Sequence, residues 1–306
     1  MSLKEQLEYR SKEAEQIVFR YLPEEKGFQK TVLEAMDYSV RAGGKRLRPV
    51  IMKAAYELCG GSGTLVEPFM AALEMIHSYS LVHDDLPEMD NDELRRGKPT
   101  THIMYGQAMA VLAGDGLLNY AYETAISAFS DADEKERAHV IRALTILAGK
   151  AGVYGMVGGQ CLDVEAEEKD LSLSEEALLF VYENKTAALL QAAFLCGAAL
   201  AGAKEECLLK LEKAGYDLGI AFQLQDDILD IEGSEEELGK PIGSDERNGK
   251  KTYVSCLGLE RAKAEQERLS HEAAALVAEV AAESSSEKAA RDFLTGLIEM
   301  LVSRKS

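Results

Sequence analysis

The sequence predicts an all-α protein, a single large bundle of roughly ten or more helices occupying residues 1–306 as one domain. Three observations carry that prediction. Ala, Leu, Glu, Lys and Met prevail almost from end to end, with six prolines and no tryptophan; such side chains lose little freedom in a helix. Val, Ile and Thr seldom cluster in the way strands require. The breaks are mostly 15 to 30 residues apart, and none is long or polar enough to act as an interdomain linker.

The elements follow in order. The opening MSLKEQLEYRSKEAEQ is charged from residue 4 onward and lacks the apolar core of a secretion signal. Its helix stops at Leu22-Pro23, and later breaks fall at Cys59-Gly60-Gly61-Ser62-Gly63, around Gly97-Lys98-Pro99, near Ser130-Asp131, at Lys169-Asp170-Leu171-Ser172 and over residues 232–249. Between them, Phe69 to Val82, Ala108 to Ala128 and Ala187 to Ala203 are apolar around most of the helix, which predicts positions at the centre of the bundle. Ala187 to Ala203 is the longest apolar stretch. Alanine dominates it and Gln191 interrupts it, whereas a membrane span needs ~20 strongly apolar residues, so a buried helix is expected and no span.

Acidic residues number 53 against 34 basic, a net charge of −19. Such a surface repels nucleic acid and anionic lipid, so an anionic substrate must meet local positive charge or bound metal. The five cysteines, Cys59, Cys161, Cys196, Cys207 and Cys256, form no Cys-x-x-Cys pair, which predicts reduced, mostly buried thiols and a cytoplasmic location.

Two aspartate clusters organise the chemistry. The first, His83-Asp84-Asp85-Leu86-Pro87-Glu88-Met89-Asp90-Asn91-Asp92, ends one apolar helix; the second, Gln223-Leu224-Gln225-Asp226-Asp227-Ile228-Leu229-Asp230, ends another. Asp226 and Asp230 are i and i+4, and Asp227 and Asp230 i and i+3, so they can share a helix face. Pro87 should end or kink its helix and let Asp90 return toward Asp84 from a loop. Like charges ~4 Å apart repel by about 4 kcal/mol at an effective dielectric of 20, so each cluster needs positive charge. All-oxygen donors suit Mg²⁺, which shares its coordination with substrate phosphates. Either cluster alone reads as a solvated helix end. The pair, 142 residues apart and each behind an apolar helix, reads as two walls holding a diphosphate.

Several of the 34 basic residues are grouped. Arg41, Lys45, Arg46 and Arg48 fall within eight residues beside Gly43-Gly44, which let backbone approach a ligand closely. Arg95-Arg96 follows the first aspartate cluster, where guanidiniums suit bidentate phosphate contacts or pair with Asp92 and Glu93. Lys185 and Thr186 open the Ala-rich helix, and Lys240 lies in a loop with Lys250 and Lys251 beyond it. His77, alone on an apolar helix, reads in isolation as a core residue.

Taken together, GGKRLRP at 43–49, HSYSLVHDDLPEMDNDELRRGKPTTH at 77–102, AGDGLL at 113–118, GMVGGQCLD at 155–163, KT at 185–186, FQLQDDILD at 222–230 and GKPIGSD at 239–245 resemble the trans-isoprenyl diphosphate synthases over nearly the whole chain. Within that family the bacterial farnesyl diphosphate synthases are the most similar. The resemblance implies a bundle around a central cavity and a homodimer. It makes Asp84, Asp85 and Asp90 the first metal-binding set and Asp226, with Asp227 and Asp230, the second, for two or three Mg²⁺ ions with Mn²⁺ as a substitute. It assigns Gly44, Lys45, Arg48, His77 and Arg96 to isopentenyl diphosphate. Arg95, Lys185, Thr186, Gln223 and Lys240 fall to the allylic diphosphate, dimethylallyl or geranyl, and to catalysis. Basic Arg304-Lys305 resembles tails that close over the isopentenyl site. Glu88, Asn91 and Gln107 depart from common family residues without touching an assigned ligand.

The implied reaction is ionisation, condensation and elimination, with no side-chain nucleophile. Tyr79 precedes the first aspartate by five residues, ~7.5 Å along the helix in the direction an apolar tail would run. With Ser80 it is the expected limit on product length, at fifteen carbons; geranylgeranyl diphosphate synthesis is the alternative. A class I terpene cyclase would carry a different second metal motif and no isopentenyl site. A metal-dependent phosphohydrolase would leave the second cluster without a role, and intact aspartate sets argue against an inactive partner subunit.

Overall fold

The computed structural model describes residues 1–169, 171, 173–232 and 252–302. They are overwhelmingly helical: α1 (Leu3–Arg20), α2 (Lys30–Arg41), α3 (Leu47–Leu58), α4 (Glu67–Asp84), α5 (Thr101–Tyr105), α6 (Gln107–Ser127), α7 (Glu136–Ala151), α8 (Met156–Glu168), α9 (Glu175–Val181), α10 (Ala188–Leu200), α11 (Glu205–Glu232), α12 (Tyr253–Leu257), α13 (Leu259–Ala278) and α14 (Ser285–Val302). The all-α prediction holds. Local sequence fixes several starts. Ser2 caps α1 through a reciprocal pair with Glu5, and the Ser174 hydroxyl accepts from the Ala177 amide at the head of α9.

Helix α10 is the axis. Each of its residues is buried, and it packs on α3, α4, α7 and α11. Small residues permit that closeness: a Cβ on Gly197 would lie 2.2 Å from the Met52 carbonyl oxygen, and one on Gly215 2.8 Å from the Gln191 Cα. Helix α4 is likewise enclosed over most of its length, against α6, α3 and α1. One hydrophobic cluster runs from α1 through α14.

Two features differ from the sequence expectation. Residues 94–99 form a short antiparallel hairpin, with β1 (Leu94–Arg95) paired to β2 (Lys98–Pro99). Its turn, Arg96-Gly97, has positive φ at both positions, 53° and 73°, the twist that matches two-residue hairpins. Helix α6, predicted central, is covered on one side only. Leu112 and Ile126 remain 49% and 53% exposed, because α4 and α2 cover one flank and none of the described elements covers the other.

By length and composition, Glu136–Glu168 is the one stretch of the described residues that matches a membrane span. The chain breaks within it, at Gly152 between α7 and α8. Val153 and Tyr154 at this break are strongly exposed.

Candidate active site

The last turn of α4 delivers the first aspartates. The helix ends at Asp84, ahead of Pro87, and the loop returns so that the Asp90 amide donates to the Asp84 carbonyl at 2.9 Å. Left-handed Asn91 continues the reversal, its amide bonded to the Leu86 carbonyl. The Asp84 carboxylate is half-buried and accepts from the Gln160 amide on α8 at 2.5 Å. Asp85 is buried. It accepts from Arg95 Nε at 2.6 Å and Nη2 at 2.5 Å, and Arg95 reaches Asp92 at 3.6 Å. Burial raises the Asp85 carboxyl above its ordinary range, with Arg95 opposing.

Behind this wall lies a nest of cations. The string at 41–48 divides by role. Arg46, left-handed at φ 51°, turns inward, where Nη1 meets buried Glu74 at 2.8 Å and Nη2 donates to the Val40 carbonyl at 2.6 Å. Arg48 points to the cavity, and its Nε is fully enclosed without a hydrogen-bond partner. Burial, with Arg96 adding repulsion, brings the Arg48 guanidinium down to about 10, still charged at neutral pH. Arg96 bonds the Gly43 carbonyl, and its guanidinium lies where a Cβ on Gly44 would be, 2.7 Å away; with φ at +135°, Gly44 is required twice over. Lys45 is exposed and does not line the cavity. His77 faces Arg48, Arg96, Arg95 and Arg46; burial and these charges hold its imidazole well below the ordinary value, hence neutral. So many like charges in one partly desolvated pocket are costly until an anion joins them.

The second wall rests on a widened helical turn. Between α9 and α10 the chain winds as a π-helical segment, Tyr182–Ala187, which carries Lys185 and Thr186. They therefore sit inside one long rod and do not open it. Such turns recur at functional sites because they turn backbone and side chains away from regular register. A Cβ on Gly159 of α8 would be 2.2 Å from the Lys185 amide nitrogen, and one on Gly219 of α11 2.2 Å from the Ala187 Cβ. Lys185 Nζ is held by Asp163 at 2.6 Å. The Thr186 hydroxyl donates to Gln223 Oε1 at 3.0 Å, and Gln223 Nε2 donates to Asp227 at 3.2 Å. Asp227 is buried and also accepts from the Tyr182 hydroxyl and the Tyr253 amide. Asp226 is exposed and Asp230 buried on the same helix.

A cavity of about 550 Å³ runs between Asp84 and Thr186; Asp85, Arg95 and Arg96 line a separate small pocket, and Asp226, Asp227 and Asp230 are not among the residues lining the larger one. Arg48, His77, Asp84, Gln160, Lys185 and Thr186 line its polar end, and Val157, Val164 and Leu189 are among its apolar residues. Tyr79 and Ser80 line it too. The Tyr79 ring packs edge-on against His83, centroids 5.8 Å apart, and burial pushes its phenol up to about 12. Thr186 carries the cavity wall to Gln223, one helical turn before Asp226. Gln160 and Asp163 have no role assigned from sequence; only the facing of α8 toward α4 and the widened turn supplies one. Lys240, Lys250, Lys251, Arg304 and Lys305 lie outside the described residues.

The donors suit Mg²⁺. They are carboxylate oxygens, of which Asp84 lines the cavity, and among the described residues no three Asp, Glu, His or Cys groups converge into a closed cage. An ion that leaves much of its coordination to water and phosphate needs no such cage.

A profile of the polyprenyl synthetase family matches residues 29–292. A farnesyl diphosphate synthase from Geobacillus stearothermophilus is 44% identical over 265 residues, 86% of this chain and 87% of that one. A geranylgeranyl diphosphate synthase from Cyanophora paradoxa is 45% identical over 243 residues, 79% of each. The crystal structure of a geranyltransferase from Helicobacter pylori, complexed with magnesium and isoprenyl diphosphate, superposes with a TM-score of 0.83 at 31% identity, covering 99% of both chains. The match over residues 29–292, on a helical bundle with Asp84 and Arg48 at the polar end of one apolar cavity, places the chain in the polyprenyl synthetase family.

Proposed function

We propose that the chain is a trans-prenyltransferase that joins isopentenyl diphosphate to dimethylallyl and then geranyl diphosphate, giving farnesyl diphosphate. One observation carries the reading: a single cavity pairs a diphosphate-binding end, with Asp84, Arg48, His77, Lys185 and Thr186, to an apolar body walled by Tyr79. The allylic headgroup lies between the Asp84, Asp85 and Asp90 set and the Asp226, Asp227 and Asp230 set. Asp227 accepts three hydrogen bonds, and Asp226 is exposed on the same helix. Gly44, Lys45, Arg48, His77 and Arg96 receive isopentenyl diphosphate. The site takes two or three Mg²⁺ ions, with Mn²⁺ as a substitute, which supply Lewis-acid stabilisation of the departing diphosphate.

The chain's own residues do the rest. Arg95, Lys185 and Lys240 stabilise charge developing on the leaving group. Asp227 can only accept, so it holds the Gln223 amide nitrogen and turns the amide oxygen toward Thr186. The Thr186 and Gln223 oxygens then face the allylic cation, and the apolar wall keeps water from trapping it. The isopentenyl double bond attacks, and the released diphosphate takes the proton. Residues 1–306 act as one domain in a cytoplasmic homodimer, whose contact we assign to the uncovered apolar flank of α6 and α7, with Val111, Leu112, Ile126 and Ile141.

Incubation with isopentenyl and geranyl diphosphates plus Mg²⁺, followed by product analysis, tests the reading. Farnesyl diphosphate is expected. Free phosphate, a cyclic hydrocarbon or no turnover would overturn it. The similarity to a geranylgeranyl diphosphate synthase supports a second reading, marked by twenty-carbon product.

A further inference from the structure

We propose that Cys59 and Cys207 are a modification site: a thiol pair that closes to an intramolecular disulfide when the protein meets a low-molecular-weight disulfide, stapling the end of α3 to the start of α11. The two residues are 148 positions apart in sequence, yet their sulfurs lie 3.6 Å from each other. A disulfide bond is ~2.05 Å long, so the two sulfurs, already in contact, need only approach further. Both residues are half-buried, while Cys196 is buried and Cys161 and Cys256 are exposed. Among the described residues no other two cysteine sulfurs are in contact.

The pair is chemically asymmetric. Cys207 lies in the first turn of α11, where backbone amides favour an anion, and Lys210 is one turn further on. The contact with Cys59, together with Lys210, lowers the Cys207 thiol; Cys59 itself, caught at the end of α3, is raised by the same contact and by burial. Cys207 is therefore the attacking thiolate and Cys59 the resolving thiol. The Cys207 thiolate attacks one sulfur of the small disulfide and expels the other as a thiolate, leaving a mixed disulfide. Cys59, losing its proton, attacks the Cys207 sulfur and expels the second small thiolate. Two electrons and two protons pass to the reagent, which leaves as two thiols.

The staple lies far from the chemistry. Along α3 it is ~16 Å from Arg48, and along α11 ~28 Å from Asp226. Its closed loop nevertheless contains both walls of the cavity up to Thr186. Oxidation should therefore stabilise the fold and leave turnover almost untouched.

The test uses the full chain equilibrated with excess glutathione disulfide or with dithiothreitol. After oxidation, a non-reducing tryptic map should show the peptide spanning 54–95 linked to that spanning 205–210. The Tm should rise by about 5 °C or more, the scale for closing a loop of this length, with turnover within about twofold. Cys207→Ser and, separately, Cys59→Ser should lose both the linked peptide and the Tm rise. Cys207→Ala serves if Cys59→Ser folds poorly. Two fully alkylatable thiols after oxidation would overturn the proposal, as would a Tm rise that persists in Cys207→Ser or a linked form with unchanged Tm.

Discussion

Thr186 and Gln223 meet at 3.0 Å, the hydroxyl of the widened turn bonded to the amide oxygen of α11. This contact ties the rod of α9 and α10 to the helix of the second aspartate set. Thr186→Val keeps the volume and removes the oxygen. One lost stabilising dipole in a water-poor site should lower kcat roughly 10- to 100-fold. Steady-state kinetics with geranyl diphosphate as the allylic substrate checks this, and an unchanged KM for isopentenyl diphosphate would separate the loss from the cation nest.

Tyr79→Ala should open the cavity beyond its present end and shift most product to twenty carbons or longer. Burial holds the phenol neutral at any assay pH, so the effect is one of volume, and Tyr79→Phe should leave chain length unchanged. Chromatography of the dephosphorylated products gives the distribution.

Gly159→Ala should be costly for a methyl group. The new Cβ would stand 2.2 Å from the Lys185 amide nitrogen, so backbone must move. Overpacking of this kind costs about 1–3 kcal/mol, measurable by urea unfolding, and the displaced turn should reduce kcat beyond the loss of stability.

His77 should make the unliganded protein acid-sensitive. The unfolded chain protonates this imidazole near 6.5, whereas the native chain, with burial and four arginines around it, does so only well below. Between those values the unfolded state holds the extra proton, so stability falls as pH drops below about 6.5, by up to ~1.4 kcal/mol per pH unit. His77→Gln removes that component. Urea unfolding at neutral and mildly acidic pH should show wild type losing more stability than the variant, and inorganic pyrophosphate should narrow the difference.

The uncovered flank of α6 should be the contact between copies. Leu112→Glu combined with Ile126→Glu places charges on a surface that is apolar and exposed in the single chain. Analytical ultracentrifugation should show a dimer for wild type and a monomer for the double variant.

The aspartate sets were legible because their logic is local: an apolar run, a proline, and carboxylates at helical spacing, with the Asp90 return confirmed by a backbone bond. The widened turn was not. Glu183, Asn184, Lys185 and Thr186 include no glycine or proline, and the turn fits between Gly159 and Gly219 of two distant helices. The partners of Asp84 and Lys185 were hidden for the same reason, since Gln160 and Asp163 matter only once α8 faces the other walls. Arg46 and Arg48 looked alike in sequence. A left-handed backbone sends the first to Glu74 and leaves the second at the cavity. Apolar patterning placed α4 and α10 correctly and misplaced α6, because an apolar face left exposed in the single chain and an interior surface have the same composition.

Each residue of an α-helix rotates the chain by about 100°, so the looser winding at Tyr182–Ala187 resets the azimuth of all that follows it. Rewinding the same six residues as regular helix would swing the Ala-rich seam of α10 out of alignment with α3 and α11. The segment works as a phase adjuster: it lets a polar stripe and a wholly apolar one share a continuous rod although the two require different angular settings.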